Sequence, residues 1–177
     1  MTAPELSRPE LSREVRTRPH PPERLTINAS DAERAALAAR FGVVAIEALH
    51  AELAFEPHGA AVEARGTLSA DLIQLCAVSD EEFPVRIEEP LALRFVREAK
   101  SVSEDEEAEL PGDEPDEIEF SGDSFDAGEA VAQSLGLAID PYAEGPNADA
   151  ARRESGIVTE GESEGPLADL LRGIKRN

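Results

Sequence analysis

The spacing of apolar positions changes period along this chain, and each change marks an element. Residues 24–28, RLTIN, predict a short strand. Ser30-Asp31-Ala32-Glu33 then forms a capping box and opens an alanine-rich helix through Phe41, with Leu37 and Phe41 on one face. Gly42 supplies the left-handed stop. From Val43 the period falls to two. Leu49, Ala51, Leu53 and Phe55 alternate with His50, Glu52, Ala54 and Glu56, the pattern of a half-buried strand. Pro57-His58-Gly59 turns the chain, and Val62, Ala64, Gly66 and Leu68 continue on the return strand. The more uniformly apolar line from Ala70 to Val78 predicts a central strand. Asp80-Glu81-Glu82 is the next turn, and Val85, Ile87, Leu91, Leu93 and Phe95 give a last antiparallel strand that Glu89-Pro90 should break or bulge.

Helical spacing returns in FDAGEAVAQSLGLAIDPYAEGP, Phe125 to Pro146. Asp126 and Glu129 read as an aspartate version of the capping box, each side chain satisfying a free backbone N–H. Ala127, Val131, Leu135 and Ala138 share one face, and Pro141 disfavours the helical conformation at Asp140, which ends the helix. Residues 143–165 are linker in composition. Beyond them Leu167, Leu170, Leu171 and Ile174 fit the i, i+3, i+4, i+7 template of a short amphipathic helix within a motif at 166–177. These elements predict an α+β domain: a small antiparallel β-sheet with flanking helices, at residues 24–142. An acidic loop at 98–120 interrupts it, a disordered arm at 1–23 precedes it, and the C-terminal helix follows on its tether.

Composition narrows the class. In 177 residues, 41% hydrophobic content with only 4% aromatic and no Trp predicts a modest core. The arm at 1–23 has arginines but also glutamates and several prolines, and lacks the apolar run of a signal peptide. One cysteine excludes an intramolecular disulfide, and no apolar run approaches a membrane span, so a cytoplasmic protein without a membrane partner is expected.

Charge is the dominant physical fact: 17 basic residues against 38 acidic ones give −21. Nucleic-acid affinity comes largely from Lys and Arg displacing counterions from phosphates, so no direct high-affinity nucleic-acid binding is expected. The acid concentrates at Ser103–Glu119, SEDEEAELPGDEPDEIE, which contains no Lys or Arg. Such a block is a solvated loop or a docking site for a basic partner. The candidate partner-binding residues are therefore Glu104, Asp105, Glu106, Glu107, Asp113, Glu114, Asp116 and Glu117, together with the apolar stripe Leu167, Leu170, Leu171 and Ile174.

Candidate chemistry is sparse. Cys76 has no sequence neighbour that would activate it and reads as a small buried strand residue. His20, His50 and His58 are scattered, and the nearest pair, His50 and His58, lies across a predicted turn. No glycine falls in a phosphate-loop context. No cofactor, metal or catalytic residue is assigned.

Three pieces in order carry a resemblance: GTLSADLIQLCAVSDEEFPVRIEEPLALRFV from Gly66 to Val96, the helix and Asp140-Pro141-Tyr142 stop after the acidic block, and GPLADLLRGIK from Gly165 to Lys175. Over roughly residues 24–177 the chain resembles the YceD family, the large ribosomal RNA subunit accumulation proteins. It departs from them at one point. Many relatives carry Cys-x-x-Cys at the turn, whereas here Cys76 is followed three residues later by Ser79, which removes one ligand from any metal or redox role built on that pair. The resemblance implies a role in synthesis, processing or stability of large-subunit (23S) ribosomal RNA, and the charge points to action through a basic ribosomal or maturation protein rather than on RNA directly. Two rivals stand beside this non-catalytic role: an acidic nucleic-acid mimic that inhibits a nuclease, and an enzyme using Cys76.

Overall fold

The computed structural model describes residues 9–98 and 116–156. In chain order its elements are β1 (Glu14–Arg16), β2 (Arg24–Asn28), α1 (Asp31–Phe41), β3 (Ala45–His58), β4 (Ala61–Leu75), β5 (Glu82–Arg97), β6 (Asp116–Phe120), β7 (Ser124–Asp126), α2 (Ala127–Ala138) and α3 (Ala148–Glu154). The α+β class is as expected. The described residues divide into two compact units: 9–74 with 84–98 and 116–140, and 75–83 with 141–156.

The first unit is built on a sheet in the order β2-β3-β4-β5-β6. The two-residue alternation read from the sequence is its organising pattern. Leu49 opposes Ala70, Ala51 opposes Leu68, Leu53 opposes Gly66 and Phe55 opposes Ala64. Every one of these rungs puts a large side chain opposite a small one, which lets the apolar face interdigitate without overpacking. The reverse face carries His50, Glu52 and Ala54 opposite Ser69, Thr67 and Arg65. Gly66 is constrained to have no side chain, since a Cβ there would lie 1.7 Å from the carbonyl oxygen of Glu52.

Four of the six phenylalanines converge in this core. Phe125 stacks on Phe95 with ring centroids 3.9 Å apart and meets Phe55 and Phe120 at 5.9 and 5.6 Å in tilted geometry. That clustering lets a chain poor in aromatics close its core.

Helix α1 has the full capping box: Ser30 Oγ accepts from the Glu33 N–H, Glu33 accepts from the Ser30 N–H at 2.8 Å, and Gly42 ends the helix at φ 69°. Helix α2 departs from expectation. Asp126 caps it, accepting from the N–H groups of Gly128 and Glu129. Glu129 does not reach back; its carboxylate instead receives both arms of the Arg40 guanidinium at 2.8 and 2.9 Å. An ionised fork is the stronger acceptor bond, so the arginine wins over a neutral N–H.

Several further expectations need correction. Residues 9–23 belong to the fold and not to a disordered arm: β1 pairs antiparallel with β7, Val15 opposite Phe125, and Leu11 is fully buried. Leu11 and Val15 supply the apolar contact, and the polar residues between them bond to Asp126 and Ser124 of β7 and to Glu33 of α1. Pro90 does not break β5, which runs unbroken through it. It lies outside the stretch Leu93–Arg97 that β6 pairs with, and a residue lacking an N–H is tolerated where no ladder bond is needed. The sheet is not wholly antiparallel, because β6 runs parallel to β5. This strand takes up Asp116–Glu119 from the acidic block, pairing Ile118 with Phe95 and ending on the buried Phe120. The remainder of that block, and the C-terminal motif, lie outside the described residues.

The second unit joins the turn after β4 to the chain beyond Asp140. Ala77 N–H donates to the Ala143 carbonyl at 3.0 Å, Asn147 Nδ2 donates to Glu81 at 2.8 Å, and Gly145 lies against the Phe83 ring. Residues 148–154, expected as linker, form α3, with Ala148 buried and Arg152 bonded to Glu144 and Asp149.

Two tests follow for the first unit. A Cβ at residue 128 would come within 2.6 Å of the Arg13 nitrogen and 2.9 Å of the Leu11 carbonyl oxygen. Gly128→Ala is therefore expected to cost about 2 kcal/mol by thermal or denaturant unfolding and to speed tryptic cleavage at Arg13 and Arg16; unchanged cleavage would show that the segment is not held there. The second concerns pH. Arg13 grips Glu33 through a fork at 2.7 and 3.1 Å and, with Ser30 adding bonds against the cost of burial, holds its carboxyl at about 2. A lowered folded-state pKa gives stability that is present above the unfolded value and lost as pH falls through the folded one. The stability difference between the parent and Glu33→Gln should thus be largest, about 2 kcal/mol, at pH above about 5 and vanish towards pH 2. A difference independent of pH would remove the ion pair as its source.

Candidate interaction surface

Helix geometry decides which side chain α2 leaves outside. Successive residues turn by about 100°, so Ala127, Val131 and Leu135 share the buried face, and Leu137, two positions past Leu135, points away from it. Leu137 is 84% exposed. It sits in a shallow cleft of about 190 Å³ between the C-terminal end of α2, residues Glu89–Leu93 of β5 and Asp116 of β6. Pro90, Ala92 and Ala138 extend the apolar lining.

The rim of this cleft is acidic. Glu89 and Asp116 line it and are exposed, whereas their neighbours Glu88 and Glu117 alternate onto the other side of the sheet. Glu117 lies 3.3 Å from Arg94, and Glu88 accepts from Arg86 at 2.9 Å. Glu89 and Asp116 take part in no ion pair among the described residues. The arrangement suits an apolar side chain carried on a basic segment: the first enters beside Leu137, the second meets the unpaired carboxylates.

Of the residues the sequence nominates, Asp116 and Glu117 are thus placed on β6, the first lining this cleft and the second paired with Arg94. Glu104, Asp105, Glu106, Glu107, Asp113, Glu114, Leu167, Leu170, Leu171 and Ile174 lie outside the described residues. Leu137, Glu89 and Pro90 were not nominated. The signal was present for Leu137, a large apolar residue off the periodic face of its own helix.

Cys76 is 1% exposed and sits one residue beyond β4, at the start of a tight turn. Its N–H donates to the Glu81 carbonyl at 2.8 Å, its carbonyl accepts from Asp80, and Asp80 takes a left-handed φ of 55°. The turn wraps the sulfur, which accepts from the N–H groups of Val78 and Ser79 at 3.4 Å. A hydrogen bond from the Ser79 side chain, against the cost of burial and with backbone donors from Gly145, Ser79 and Val78, brings the thiol down to about 7. The turn offers a metal one thiol and one hydroxyl. Among the described residues no group of three His, Cys, Asp or Glu is placed to hold an ion.

The histidines are also arranged otherwise than expected. His50 and His58 lie on one strand, β3, and not across a turn; eight residues of extended chain separate them by about 26 Å. His50 donates through Nδ1 to Asn28 at 2.8 Å. No helix among the described residues is long and apolar enough to cross a membrane. No family model, curated protein or solved structure matches this chain.

Burial and the lowered thiol make opposite demands on reactivity, and burial governs access. Cys76 in the folded protein should react with a bulky disulfide reagent at least about a hundredfold more slowly than in the unfolded chain at pH 8, read by absorbance. Equal rates would show that the turn opens freely.

Proposed function

We propose that this protein is a cytoplasmic, non-catalytic factor in the synthesis, processing or stability of large-subunit ribosomal RNA, acting by holding a basic ribosomal or maturation protein. The observation that carries the binding half of this reading is Leu137, an exposed apolar anchor beside Glu89 and Asp116, two carboxylates without an ion pair among the described residues. Interfaces gain their energy from a few apolar anchors surrounded by polar groups that fix charge and register. The charge of −21 favours a cationic partner, steering it in and discouraging a phosphate backbone. The ribosomal half rests on the resemblance to the YceD family carried by Gly66–Val96, the Asp140-Pro141-Tyr142 stop and Gly165–Lys175.

One observation favours the alternative of a nucleic-acid mimic acting on a nuclease. Asp116, Glu117 and Glu119 stand on a paired strand, and a mimic needs carboxylates at fixed positions. The Arg94 pairing of Glu117 weighs against it by neutralising one of the three.

The test is capture from lysate with nuclease present. A factor that holds a basic protein should retain it after RNA is digested, and Leu137→Asp should lower its recovery at least about tenfold while the unfolding midpoint stays within about 3 °C. The purified protein should bind ribosomal RNA fragments weaker than about 10 μM at roughly 150 mM salt. Tight RNA binding under those conditions, or capture indifferent to Leu137, would overturn the reading.

A further inference from the structure

A second cleft of the first unit lies elsewhere, between residues 17–21, the turn joining β3 to β4, and the C-terminal end of β5. Its volume is about 380 Å³, which falls in the lower part of the range of small-molecule sites, about 300–1,000 Å³. We propose that this cleft binds a small organic anion, one phosphate or carboxylate group carried on an apolar or ring-shaped body.

The lining is anomalous for this protein. In a chain with 38 acidic residues and 17 basic ones, no Asp or Glu lines the cleft among the described residues, whereas Arg18, Arg97 and His20 do. Its floor is apolar, with Pro19, Pro57, Val62 and Phe120.

The two guanidinium groups share one acceptor. Arg97 Nη2 lies 3.0 Å from Asp123 Oδ1, and Arg18 Nε lies 3.6 Å from the same oxygen. Among the described residues a single carboxylate meets the two guanidinium groups, which leaves one positive charge over at the mouth of an apolar cleft. A second anion balances it.

The donors differ in readiness. Arg97 is held: Thr17 Oγ1 accepts from it at 3.4 Å, Asp123 fixes its other contact, and its guanidinium lies over the Phe120 ring at 5.8 Å. Such a preplaced cation loses little freedom when an anion arrives. The Arg18 side chain is 70% exposed and can swing to meet a ligand. His20 spends its Nδ1–H on the Pro21 carbonyl at 3.1 Å, which leaves Nε2 as the remaining polar atom of the ring. The apolar floor then selects against a bare inorganic ion, which gains nothing from it. This site is separate from the Leu137 cleft and does not rest on the assignment of a basic partner.

The experiment is an amide chemical-shift titration of the full chain with three probes: adenosine 5′-monophosphate for a phosphate on a ring, octanoate for a carboxylate on a chain, and inorganic phosphate for the head group alone. At least one of the organic anions should shift the amides of Gly59–Val62, Arg97 and Phe120 with a Kd below about 1 mM, at least roughly tenfold tighter than inorganic phosphate. Which of the two does so identifies the head group and body preferred. Arg97→Gln and Arg18→Gln should each weaken that binding roughly tenfold, whereas Arg24→Gln, outside the cleft, should leave it unchanged. Arg97→Gln also removes a contact to Asp123 and could loosen the fold; Arg18→Gln, at an exposed side chain, keeps the test decisive in that event. The proposal fails if neither organic anion shifts these amides by about 10 mM, if inorganic phosphate binds as well as both, or if Arg18→Gln leaves the affinity unchanged.

Discussion

The carboxylate of Asp126 is the interaction on which the first unit depends. One of its oxygens accepts three backbone N–H groups, from Arg13 at 2.7 Å, Gly128 at 2.9 Å and Glu129 at 3.1 Å, and the other accepts the Ser12 hydroxyl at 2.6 Å. A single side chain thereby caps α2 and ties the N-terminal segment across its first turn. The backbone adds to the tie: Asp126 opposes Glu14 in the β1–β7 pair, and the Ala127 N–H donates to the Arg13 carbonyl at 3.0 Å. Its neighbour Phe125 is the ring on which the aromatic cluster converges. Capping, strand pairing and core closure therefore meet within two residues, and the glycine at 128 is what allows the segment to come that close.

Around this tie the ion pairs are placed by function in the fold. Arg13 joins the segment to α1 through Glu33, and Arg40 joins α1 to both Glu10 and Glu129. The Arg13–Glu33 and Arg40–Glu129 pairs are partly buried forks, the geometry in which arginine gives most to a carboxylate. Arg18 and Arg97 differ from these in sharing a single carboxylate, that of Asp123.

What the sequence made legible was local. The capping box at Ser30, the stop at Gly42 and the alternation from Leu49 to Leu68 each state their element within a few residues, and each formed as read. The misses share a different cause. Strand β1 has only three residues, and its partner lies more than a hundred positions away. Strand β6 is acidic by composition and is a strand because Phe95 and Phe120 give it a place beside β5. Pro90 was read as a break or bulge because it cannot donate to a ladder, and the sequence does not show that β6 begins to pair only at Leu93. For the candidate surface, the sequence pointed to acid and found one residue of its lining, Asp116. Leu137 stood off the periodic face of its own helix, but only the placing of that helix beside β5 shows what it lies against.

The acidic strand that borders the sheet has one more consequence. A terminal strand with free backbone donors and acceptors invites a second sheet to continue the ladder, and most long β-rich chains must guard against this. Here the guard is electrostatic. Asp116, Glu117 and Glu119 would confront the same three carboxylates if two copies met along β6, at a spacing of about 5 Å between strands. The same residues that make this border attractive to a cation therefore make it hostile to self-association.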